Sequence, residues 1–113
     1  MSCLFCKIAA GEIPAHIVFE NDEVLAFRDI HPQASTHVLV IPKRHIETLN
    51  HAEAPDATLL GEMILTAKAI AKDEGLDEAG YRLVINVNQH GGQTVYHIHL
   101  HVIGGRQMTW PPG

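Results

Sequence analysis

The chain has 113 residues, 46% of them apolar, which suits one packed domain and leaves too little length for two. Its formal charge is −5, and its eight lysines and arginines are scattered; the concentrated basic face that nucleic acids and anionic membranes require is missing, Lys43-Arg44-His45 being too short to count. No apolar run approaches the ~20 residues of a membrane helix, and Met1-Ser2-Cys3-Leu4-Phe5-Cys6-Lys7 lacks the basic-then-apolar pattern of a secretory leader, so the cytoplasm is the expected location.

In chain order, a weakly marked short helix is expected at about Ser2 to Ala10. Ile17-Val18-Phe19 and Val24-Leu25-Ala26-Phe27 read as strands separated by the turn formers Asn21-Asp22, and Val38-Leu39-Val40-Ile41 as a third, closed by Pro42. After Pro55-Asp56, Leu59, Leu60, Met63, Ile64, Ala67, Ile70 and Ala71 mark one stripe of a 3.6-period helix, with Gly75 as its stop. Tyr81 to Val87 and Tyr96 to Val102 read as two more strands, with Gly91-Gly92 between them. Hairpin-length connections and a single long crossover predict an antiparallel sheet backed by helices, an α+β fold, over residues 1–113 as one domain.

Nine of the 113 residues are histidine, and three fall within five positions at His97-Ile98-His99-Leu100-His101. In a strand this spacing puts His97, His99 and His101 on one face and Ile98, Leu100 and Val102 on the other, where they would pack on the long helix. A plain polar strand face would be served as well by Thr, Lys or Glu. A zinc site is a second reading, although no carboxylate lies between Asn86 and the C-terminus to complete a catalytic set. The third is metal-free chemistry, since a neutral imidazole serves as nucleophile, acid or base near pH 7. Cys3-x-x-Cys6 likewise stays open. A redox pair lacks its βαβ context, a disulfide would close a tiny strained loop, and two plain thiols or half of a zinc site remain.

The segment His97-Ile98-His99-Leu100-His101-Val102-Ile103 resembles the His-φ-His-φ-His-φ-φ pattern (φ apolar) of the histidine-triad family. The tail Gly104-Gly105-Arg106-Gln107-Met108-Thr109-Trp110-Pro111-Pro112-Gly113 is similar to that of its nucleotide-binding, phosphoramidase branch. Gly11-Glu12-Ile13-Pro14, Phe27-Arg28-Asp29-Ile30, His37-Val38-Leu39-Val40-Ile41-Pro42-Lys43 and Gly91-Gly92-Gln93-Thr94-Val95-Tyr96 extend the likeness over nearly the whole chain.

The resemblance implies a five-stranded antiparallel sheet with one long and one short helix, joined in a homodimer into ten strands. It implies hydrolysis of purine nucleoside 5′-phosphoramidates to an amine and the nucleoside monophosphate, with no cofactor needed for catalysis. His99 matches the family nucleophile, and His97, His101, His37 and Thr94 the residues around it; Thr94 stands where serine is more usual and keeps the hydroxyl. Asn86 joins Thr94, His101 and His37 at the phosphate, and Gly92 allows backbone N–H groups close by. Leu4, Phe5, Ile8, Phe27, Asp29, Ile30 and Leu39 match the nucleoside pocket, with Val95 and Trp110 beside them. Asp29 is expected to accept both ribose hydroxyls. Some bacterial relatives bind a structural zinc at positions matching Cys3, Cys6, His45 and His97, which would leave His99 free. Trp110, at an exposed chain end, is expected to dock across the two-fold interface near the other subunit's site.

Overall fold

A computed structural model describes residues 3–113. Helix α1 covers Leu4–Ala9, and the expected start at Ser2 lies outside the described residues. Strands β1 (Ile17–Glu20), β2 (Val24–Arg28) and β3 (Thr36–Pro42) follow, then helix α2 (Ala57–Asp73), β4 (Tyr81–Val84), the single turn α3 (Asn88–Gly91) and β5 (Leu100–Gly104). All neighbours pair antiparallel, in the order β1-β2-β3-β5-β4.

Strands β2 and β3 are apolar on both faces because a helix covers each side. Val24, Ala26, Val38, Val40, Leu100 and Val102 pack against Met63, Ala67, Ile70 and Ala71 of α2. The alternate residues Leu25, Phe27, Leu39 and Ile41 pack against Phe5 and Ile8 of α1. Continuous runs such as Val38 to Ile41 are what double-sided burial demands. On β5 the apolar set continues the α2 face, so the intervening histidines fall on the α1 face.

Local chemistry fixes the ends. Asn21 Oδ1 accepts the Glu23 and Val24 amides and closes the β1–β2 hairpin. A 3₁₀ turn at Ala54–Asp56, with reciprocal Glu53–Asp56 side-chain capping, leads into α2. Gly75, at φ +77°, follows its C-terminus as expected.

Two strand boundaries differ from the expectation, and one short helix was not expected. The strand expected from Tyr81 to Val87 stops at Val84, and α3 occupies Asn88–Gly91. The strand expected from Tyr96 begins only at Leu100, so the alternation of the three histidines runs ahead of the ladder. Ile98 N–H bonds the Ile46 carbonyl instead, and the His97 ring is turned toward the cysteines.

Candidate functional site

Between α1 and the sheet lies a cavity of about 530 Å³. Phe5 and Ile8 of α1 and Phe27 and Leu39 of the sheet give it an apolar wall, and Phe5 meets Phe27 edge to face with centroids 5.4 Å apart. Leu4, Asp29, Ile30, Thr94 and Val95 also line it, as do His99 and His101. Ile13, Pro14, Ala15, His16, Arg28 and His31 complete the wall. Sequence reasoning did not assign them there; Gly11-Glu12-Ile13-Pro14 and Arg28 were visible only as points of likeness. Asn86, Gly92, His37, His97 and Trp110 are not on this wall. Asn86 packs its backbone 3.6 Å from where a Gly91 Cβ would stand. Gly92, at φ +84°, caps α3. Trp110 is 82% exposed, and the tail leading to it is tied to β4 by Arg82 donating to the Thr109 carbonyl at 2.9 Å.

The histidines differ in their hydrogen bonds. His99 is buried, with Nδ1 2.8 Å from the His97 carbonyl. A carbonyl only accepts, so Nδ1 carries the hydrogen and Nε2 keeps its lone pair. Phe5 stands edge-on to the His99 ring at 5.1 Å, and the His101 ring lies 5.0 Å away. Burial lowers the His99 pKa against the opposing pull of the His97 carbonyl and Asp29, which favours the neutral ring.

His101 Nδ1 lies 2.9 Å from His37 Nε2, and His101 Nε2 is buried without a hydrogen-bond partner among the described residues. Burial, then the neighbouring His99 and His37, push the His101 pKa down to about 4 against Asp29. His37 Nδ1 accepts the Gln33 amide at 3.0 Å, and its Nε2 is also 3.4 Å from Asp29 Oδ2. Burial lowers the His37 pKa, and the Asp29 charge opposes this. Asp29 Oδ1 accepts the His31 amide at 2.8 Å, so the carboxylate shapes its own turn while facing the cavity. Arg28 is spoken for by Glu74, through two bonds of 2.9 and 3.0 Å.

His97 points away from the cavity. Its Nε2 donates to the Pro42 carbonyl at 2.7 Å, leaving Nδ1 as a lone pair. That atom lies 3.4 Å from Cys3 Sγ, 3.5 Å from Cys6 Sγ and 3.2 Å from His45 Nδ1, and Cys6 Sγ is 3.3 Å from His45 Nδ1. All four ligand atoms lie within 4.8 Å of one another. Bonds of about 2.0–2.1 Å to nitrogen and 2.3 Å to sulfur in a tetrahedron separate ligand atoms by about 3.3–3.8 Å, so the spacing fits zinc. The His97 tautomer fits as well, its second nitrogen being held by a carbonyl as metal-binding imidazoles usually are.

A model of the HIT domain family matches residues 10–108. The adenylylsulfatase HINT1 of Arabidopsis thaliana is 54% identical over 112 residues, covering 97% of this chain and 76% of that protein. A 14 kDa zinc-binding protein of Brassica juncea is also 54% identical over 112 residues, covering 97% of this chain and 98% of its own. The crystal structure of a HIT family hydrolase from Legionella pneumophila superposes with a TM-score of 0.98 at 64% identity, covering 99% of this chain and 100% of that one.

Proposed function

The chain belongs to the HIT domain family, and from that premise we propose that it is a hydrolase that cleaves the P–N bond of purine nucleoside 5′-phosphoramidates. The observation that carries this reading is His99. It is a buried neutral imidazole on the wall of a nucleoside-sized cavity, with Nδ1–H tied to a carbonyl and Nε2 left as lone pair.

In the proposed reaction, the His99 Nε2 lone pair attacks phosphorus, and the P–N bond breaks with its electron pair going to the amine. The amine takes up a proton as it leaves; His101 and Thr94 are the protic groups beside His99 on the wall. Water then attacks phosphorus, returning a proton to the group that protonated the amine, the phosphorus–histidine bond breaks with its electron pair going back to Nε2, and the nucleoside monophosphate is released with His99 restored. The base lies among Phe5, Ile8, Phe27 and Leu39 with Leu4, Ile30 and Val95 around it. Asp29 accepts the ribose hydroxyls, and Asn86, Gly92 and His37 support the phosphate from behind the wall. Trp110 serves the site of a second copy. The homodimer joins β4 edges and covers Ile64 and Leu65, 48% and 64% exposed on α2.

Catalysis proceeds without a metal. Cys3, Cys6, His45 and His97 would hold a zinc ion that would supply a cross-link, and four protein ligands would leave it no open position for substrate. The zinc-binding protein of B. juncea is consistent with such a site.

The relative named an adenylylsulfatase favours a second reading, in which the leaving group is sulfate rather than an amine. Sulfate departs as an anion and needs no proton, whereas an amine does. Turnover of adenosine 5′-phosphoramidate and adenosine 5′-phosphosulfate, each with and without chelator, decides between the two. His99→Ala should lose turnover by more than the ~10²–10⁴-fold of lost general acid–base help. Alkaline quench and peptide mass spectrometry should find a nucleotidyl group on His99; an adduct on another histidine, or near-normal rates in His99→Ala, would refute the mechanism.

A further inference from the structure

We propose that Arg106, outside the cavity wall, is a positioning residue that sets the direction of the hydrogen-bonded pair His37–His101, and through it keeps the hydrogen of His101 on Nε2. The functional consequence rests on reading His101 as a proton-bearing group beside His99.

Two neutral imidazoles joined by one hydrogen bond have two directions. In one, His37 Nε2–H donates to His101 Nδ1 and leaves the hydrogen on His101 Nε2. In the other, His101 Nδ1–H donates to His37 Nε2, and His101 Nε2 becomes a bare acceptor. The choice is made at the far end. The Gln33 backbone amide, which can only donate, lies 3.0 Å from His37 Nδ1, so that atom keeps its lone pair and the hydrogen sits on Nε2. Asp29 Oδ2, 3.4 Å from Nε2, favours the same tautomer. The first direction follows, and it gives the hydrogen to the partnerless His101 Nε2.

Gln33 is therefore the selector, and Arg106 holds it. Arg106 Nε donates to the Gln33 carbonyl at 2.9 Å. Gln33's other bonds, from its side chain to the His31 carbonyl and from its amide to His37, lie within its own stretch of chain; Arg106 brings an anchor from beyond β5. The contact continues the β3–β5 register outside the sheet. Thr36 pairs with Gly104, and Ser35 Oγ lies 1.7 Å from where a Gly105 Cβ would stand. Arg106 then reaches Gln33.

Long-range ¹H–¹⁵N spectra of the histidine rings read the tautomers in the free protein, independently of turnover. Wild type should show His37 and His101 both protonated on Nε2. Arg106→Ala should add a second population with His101 protonated on Nδ1. Its kcat on adenosine 5′-phosphoramidate should fall in step with the Nε2-protonated fraction, by about twofold, because loss of the roughly five- to tenfold bias of one neutral hydrogen bond brings the two tautomers near parity, while KM stays unchanged. Arg106→Lys, which retains a donor, should recover much of both. His101 protonated on Nδ1 in wild type, or tautomers unchanged in Arg106→Ala, would overturn the proposal even if kcat fell. Shifted tautomers with full kcat would uphold the positioning and defeat the reading of His101 as the donor.

Discussion

His97, His99 and His101 share one chemistry and are told apart by what each ring nitrogen touches: a carbonyl and the cysteine cluster, a carbonyl and the cavity, a second histidine. The environment of His101 has a consequence for acid stability. Its folded pKa of about 4 lies below the 6.5 of a free imidazole, because burial and the facing His99 and His37 outweigh Asp29. The unfolded chain then binds this proton more readily than the folded one, and stability rises with pH. The contribution is whole above about pH 6.5 and is lost as pH falls toward about 4. Denaturation midpoints of wild type should therefore drop further between those two pH values than those of His101→Asn. Parallel profiles would mean that His101 does not carry the effect.

At the scale of elements, the exit from β5 into the segment that follows it depends on Gly105. Its φ of +99° disfavours any side chain, and a Cβ would press on Ser35. Gly105→Ala should cost about 1–2 kcal/mol, a fall in Tm of about 5–15 °C in a domain of this size. Gly105→Ala/Ser35→Gly should recover only the part due to the clash. A neutral Gly105→Ala would show that the turn relaxes freely. The α2 stripe and the three hydrophobic runs were legible in the sequence because side-chain period reports burial directly. The limits of β4 and β5 were not. Leu100 begins the ladder because His97 is drawn to Cys3 and Cys6 and Ile98 bonds Ile46, contacts dozens of residues away in the chain. Helix α3 is a single turn with Asn88 at φ +59° and no apolar stripe to announce it. The same limit applies to the cavity. His99, His101 and the apolar slot were readable from pattern and likeness. His16 and His31 are on its wall only because β1, β2 and the 29–35 loop converge there.

Across the whole molecule, the cysteine–histidine cluster joins α1, the segment after β3 and the approach to β5. Metal analysis should find about one zinc per chain. Its removal by chelator or by Cys3→Ser/Cys6→Ser should lower Tm by about 10 °C or more, while turnover of the folded fraction stays within about tenfold of wild type. Metal retained by the double variant, or turnover proportional to zinc content, would refute the structural assignment. At the opposite end, the Thr109 carbonyl is held by Arg82 beside the β4 edge, and Trp110 is left in solvent within one chain. Deleting residues 109–113 should change selectivity among leaving amines; unchanged kinetics with every substrate and an unchanged dimer would rule out a role for the tail across the interface. His97 belongs to both the framework and the machinery: its ring completes the cluster and its carbonyl holds the His99 hydrogen. Enzymes commonly trade robustness against rate, because sites work under strain that the scaffold must tolerate. On the proposed mechanism one residue serves both ends, and a change that tightened the clip would also steady the nucleophile, so selection for endurance and selection for speed would pull in the same direction.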